Sequence, residues 1–180
     1  MNYEEKHKMM IETPISRLIP RLAVPTIISM LITSIYNMAD TFFVSQLSTS
    51  ASGAVGVNFS LMAMIQAIGF TLGMGSGNYM SRMLGAKEQE KAQRACSTAV
   101  YTAFVFGLVL AVLGIANIDN LVRALGATET IAPYAKDYGK YILIAAPYMT
   151  VYYVFNNHQR SHGNAALSMI GITTGGVLNV

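Results

Sequence analysis

The chain has 180 residues, 53% of them apolar and 12% charged, with a net charge of +3 and a mean hydropathy of +0.42. An ordinary soluble domain carries about twice that charged fraction, and the charges here leave long gaps: Asp40 alone between Arg21 and Arg82, and none over 96–118, 141–159 or 161–180. A membrane-spanning helix needs about 20 predominantly apolar residues, so these gaps exclude soluble, disordered, coiled-coil and collagen-like chains and predict an all-α membrane protein, a polytopic helix bundle.

Residues 1–21 are polar and mixed in charge, without the layout of a cleavable signal peptide, and read as a cytoplasmic N-terminal segment. The first apolar segment spans about 22–45. Pro25 stands near its start. In the first helical turn a proline is harmless; in a helix that begins near Ser16 it removes a hydrogen bond and can act as a hinge. The sequence leaves both open. Asp40 lies in the outer half of this segment, where a carboxylate costs about 2.5–3.5 kcal/mol on insertion scales and usually faces a cavity or the bundle interior. Thr33, Tyr36 and Asn37 precede it by seven, four and three residues and so stack on its face. Such a stripe can surround a sodium ion or proton with oxygen atoms. The plainer alternative, a carboxylate snorkelling to the outer interface, ranks second because three polar residues share the face.

After an uncharged turn at 46–53, the second segment spans about 54–80. It carries Gly69, Gly73 and Gly77, two GxxxG steps that let helices approach closely in lipid. A polar, helix-forming loop at 82–94 leads to the third segment, about 96–118. Its first residue, Cys96, is the single cysteine; it reads as an apolar filler with no histidine partner. The connection at 119–139 is longer and amphipathic. In the fourth segment, about 140–158, Tyr141, Tyr148, Tyr152 and Asn156 share a face that can line a pathway for aromatic or cationic molecules or serve interhelical hydrogen bonding. His158 and His162 have metal-binding spacing, but Gln159 replaces the glutamate a zinc peptidase needs, and the turn at 160–164 is expected to part the pair. The fifth segment, 165–180, repeats the GxxxG step at Gly171 and Gly175; at about 24 Å it falls short of a hydrocarbon core about 30 Å thick. The expectation is four complete spanning helices and a truncated fifth, the sequence stopping partway through a longer protein.

Orientation follows from the basic residues. Lys6, Lys8, Arg17, Arg21, Arg82, Lys87, Lys91, Arg94 and Arg160 fall on one side, and Arg123, Lys136 and Lys140 on the other, which places the N-terminus in the cytoplasm. The basic residues sit at helix ends and form no continuous face, which argues against a nucleic-acid partner. No catalytic set is evident, so no enzyme, resident metal or cofactor is expected.

Several ordered motifs carry a family likeness: LAVPTIISMLITSIYNMADTFFVSQL, SASGAVGVNF, GFTLGMGSGNYMSRMLGAKEQEKA, LGATETIAPYAKDYGKYILIAAP, NNHQRSHGN and GGVLN. Together they resemble the N-terminal half of a multidrug and toxic compound extrusion (MATE) transporter of the bacterial multidrug-export branch. The resemblance implies an antiporter of twelve helices in two six-helix lobes, which exchanges sodium ions or protons for cationic or amphipathic drugs across the cell membrane. It also implies that Asp40 is the carboxylate of the N-lobe cation site, that Asn179 is the asparagine of the helix 5 motif, and that a C-terminal lobe completes the protein. Membrane lipids and small drugs are then the expected partners, and Na+ or H+ the coupling ion. Two alternatives remain: a lipid-precursor flippase of the same superfamily, and a non-transporting truncated membrane protein.

Overall fold

The computed structural model describes Met9, residues 12–46 and residues 48–179, apart from the side chains of Asp40 and 175–179. Its described part is built from six helices: α1 (Ile15–Ser45), α2 (Thr49–Gly85), α3 (Gln89–Ala116), α4 (Ile118–Ala124), α5 (Ala132–Ser161) and α6 (Ala165–Asn179). The helices run well past the apolar segments. Helix α2 already begins at Thr49, where the Ser48 hydroxyl accepts the Ala51 N–H at 3.0 Å, so the turn expected over 46–53 is shorter than its composition indicates. The connection expected over 119–139 is also partly helical. In α4, Ile118 and Val122 are buried against α5 while Asp119 pairs with Lys136.

Three of the helices, α1, α2 and α3, are long and apolar enough to cross a membrane by length and composition. Helix α5 is more polar, and it lies at the centre of the bundle, packed against both α2 and α3. The pairing register gives the direction of each helix. Along α2, Gly69 faces Thr150 and Tyr153, Gly73 faces Val154 and Asn157, and Gly77 faces His158 and Ser161. Numbers rise together, so α2 and α5 are parallel. Against α3 they run oppositely, since Gly107 faces Ala146, Pro147 and Thr150 whereas Gly114 faces Leu143. Helix α3 is therefore antiparallel to α5.

Close approach explains the glycines. A Cβ at Gly69 would stand 2.6 Å from Tyr153 Cβ, and one at Gly107 would stand 2.6 Å from the Pro147 Cα and 2.9 Å from the Ala146 carbonyl oxygen. The GxxxG steps of α2 thus do what their spacing predicts: they bring two helix backbones together where lipid supplies no hydrophobic drive. Gly171 differs from that expectation. A side chain there would meet nothing within 4 Å, because α6 turns this face away from its described neighbours; Gly175 lies outside the described side chains.

Buried polar groups add to the lock. Asn58, fully buried, donates from Nδ2 to the Ala54 carbonyl at 2.9 Å and across to the Ala135 carbonyl at 3.0 Å. Thr150 donates to the Ala103 carbonyl of α3 at 2.9 Å. The α2–α3–α5 core is thus fastened at several depths. Helix α1 stands apart from it, packing mainly along α6, and only 6% of its most apolar stretch is buried, against 22% and 28% for α2 and α3.

Candidate functional site

Helix α1 begins at Ile15, so both Pro20 and Pro25 lie inside it. Pro25 is therefore interior and not in the first helical turn. Without an N–H it leaves the Arg21 carbonyl short of its helical partner. Hydroxyls reinforce the same turn: Thr26 donates to the Leu22 carbonyl at 3.1 Å, and Ser29 to the Pro25 carbonyl at 2.8 Å. Side-chain bonds of this kind tend to bend helices. Thr33 repeats the pattern one turn later, bonding the Ser29 carbonyl at 2.9 Å.

The packed face of α1 is defined by burial. Ser29 is buried, and Leu22, Pro25, Thr26, Thr33 and Tyr36 are half-buried along one stripe. Asp40 occupies the next position of that stripe, four residues after Tyr36. Its own side chain lies outside the described residues, and so does that of Asn179. Their helices are neighbours, because α6 is the main packing partner of α1. Asn37 departs from the expected grouping. It is exposed at the edge of the stripe and lines a shallow depression of about 440 Å³ on the surface of α1 with Met38, Thr41, Phe42 and Ser45.

Tyr36 is half-buried on this stripe, one turn before Asp40. Tyr153 is braced from behind by Phe70, with ring centroids 5.3 Å apart. Tyr148 and Tyr152 keep exposed faces. Asn156 does not join them on an open surface. It is buried, and its Oδ1 accepts from Ser168 Oγ at 2.9 Å and from the Arg160 guanidinium, which ties α5 to α6. Of the two roles open to this face, interhelical hydrogen bonding is the one Asn156 fulfils.

The reading of Cys96 as a filler without a histidine partner is incorrect. Its Sγ lies 3.2 Å from His158 Nδ1, and His158 Nε2 lies 2.7 Å from Ser76 Oγ. The three residues are 20 and 62 positions apart in sequence, and only the antiparallel α3–α5 and parallel α2–α5 registers bring them together. His162, by contrast, caps α5 outside the helix proper, followed by Gly163 at φ 74°. The described residues contain no cluster of three or more His, Cys, Asp or Glu that could hold a metal.

Comparison with known proteins places these features in context. The MatE family model matches residues 25–180. The multidrug export protein MepA of Staphylococcus haemolyticus is 28% identical over 94% of this chain and 38% of its own length. A FAD transporter of Shewanella oneidensis is 29% identical over 98% of this chain and 39% of its own length. Among solved structures, an outward-facing multidrug resistance MATE family transporter of the MOP superfamily is 27% identical, with a TM-score of 0.88, over 94% of this chain and 38% of that one. The chain spans less than half the length of each of these proteins.

Proposed function

This chain belongs to the MatE family, and on that premise we propose that it forms most of the N-terminal lobe of a twelve-helix antiporter that exports cationic or amphipathic drugs in exchange for Na+ or H+. In this reading the lobe sits in the cell membrane with its N-terminus in the cytoplasm. The observation that carries it is the contrast in packing. The α2–α3–α5 core is fastened by close glycine contacts and buried hydrogen bonds, whereas α1 rests mainly on α6 and carries the Asp40 stripe.

A mechanism follows from these parts. A charged carboxylate on an apolar helix is penalised by its surroundings, and a bound proton or sodium ion removes most of that penalty. Neutralised, the Asp40 stretch of α1 packs more deeply along its neighbours. Because α1 already lacks a backbone hydrogen bond at Pro25, the change is taken up as a bend at that turn. Tyr36, half-buried one turn before Asp40, moves with that stretch of α1. The fastened core stays still and gives α1 something to move against.

Inverted membrane vesicles carrying the intact gene product provide the test. Uptake of a fluorescent lipophilic cation is expected when sodium or proton is more concentrated in the lumen, and it should collapse with the ionophore for that ion. Uptake indifferent to both gradients would overturn the coupling. Because a FAD transporter is among the relatives, the substrate panel includes FAD; transport of FAD without any cation would move the assignment to a dinucleotide exporter.

A further inference from the structure

Near the end of the bundle where α2 and α5 finish and α3 begins, three side chains form an ordered chain of hydrogen bonds that the transport reading does not use. The Ser76 hydroxyl has one hydrogen, and it donates to the Leu72 carbonyl at 2.5 Å. With that hydrogen engaged, we assign His158 the Nε2–H tautomer, its Nε2 lying 2.7 Å from Ser76 Oγ. With the proton on Nε2, Nδ1 keeps its lone pair and accepts the Cys96 S–H at 3.2 Å. His158 is 3% exposed, its ring held between Ser76 and Cys96, while Cys96 is only half-buried. A nucleophile, a base within hydrogen-bond reach and a third group that orients the base make up the arrangement by which proteins activate thiols.

We propose that Cys96, His158 and Ser76 form a base-assisted thiol site that adds to soft carbon electrophiles such as α,β-unsaturated carbonyl compounds. The sulfur attacks the β-carbon and a C–S bond forms. The C=C electron pair moves toward the carbonyl to give an enolate, and the thiol proton passes to His158 Nδ1. That proton then returns to the α-carbon, leaving a neutral thioether and a neutral imidazole. No oxidant or metal is consumed. The adduct lies where α3 meets α5, beside the close approach of Gly77 to Ser161.

N-Ethylmaleimide is the probe, applied to the intact protein in membranes, with the rate of labelling read on the Cys96 peptide by mass spectrometry. Wild type is expected to label about a hundredfold or more faster than His158→Gln, the lower end of what a positioned base contributes. Ser76→Ala, which leaves the imidazole but frees its tautomer, should fall severalfold, and Ser76→Thr should restore the rate. If His158→Gln fails to accumulate in membranes, the Ser76 pair decides alone. An unchanged rate in His158→Gln or Ser76→Ala, or a wild-type Cys96 that labels only after denaturation, would overturn the proposal.

Discussion

Replacing Gly107 by alanine tests whether the α3–α5 contact is the tight junction described above. The added Cβ would lie 2.6 Å from Pro147 Cα and 2.9 Å from the Ala146 carbonyl oxygen. Both are backbone atoms of the helix opposite and cannot rotate away, and Thr150 Oγ1 is closer still at 2.5 Å. Either the helices part by close to 1 Å over this stretch, or α5 shifts and weakens the bond from Thr150 to the Ala103 carbonyl. Overpacking of this kind costs about 1–3 kcal/mol, and a loss near the middle of that range is about a 30-fold change in the folding equilibrium. Gly75→Ala is the matched control, since a Cβ there meets nothing within 4 Å and the substitution improves helix propensity by about 0.5–1 kcal/mol. Thermal unfolding of the detergent-purified intact protein should show Gly107→Ala lower by several degrees and Gly75→Ala level or slightly higher. Equal midpoints for the two variants would refute the packing argument.

Two further perturbations follow from the same geometry. Thr150→Val removes a fully buried donor that links α5 to α3, and should cost about 1 kcal/mol or somewhat more in the same unfolding measurement. Asn156→Ala leaves Ser168 and the half-buried Arg160 without their shared acceptor; stability should fall by about 1–3 kcal/mol while the KM for drug stays unchanged, whereas a raised KM at wild-type stability would return Asn156 to the substrate pathway.

The sequence was most legible where membrane physics leaves few options. Charge-free stretches marked the helices, and glycines spaced by four marked the α2 face that meets α5. Burial was harder to read, because lipid-facing and protein-facing residues are equally apolar. Nothing in the periodicity of Met30, Leu31 and Ile35 shows that α1 leaves them exposed, or that the more polar α5 lies at the centre. Asn156 shares a helical face with Tyr148 and Tyr152, yet the arrival of Ser168 from α6 turns its amide into a helix tie. The Cys96–His158–Ser76 cluster depends on the registers of three helices, which no local pattern encodes. Pro25 was legible as soon as the helix start was known, since its effect depends on how many turns precede it.

The central claim is that Asp40 couples ion binding to movement of α1, and replacing its carboxylate tests that most directly. In inverted vesicles bearing the intact protein, Asp40→Asn keeps the side chain's size but can neither bind a proton nor attract a cation by charge. Asp40→Glu keeps the charge. Ion-driven drug uptake is predicted to vanish in Asp40→Asn and to survive, at a reduced rate, in Asp40→Glu. Undiminished ion-driven uptake by Asp40→Asn, in protein present at wild-type levels, would contradict the account.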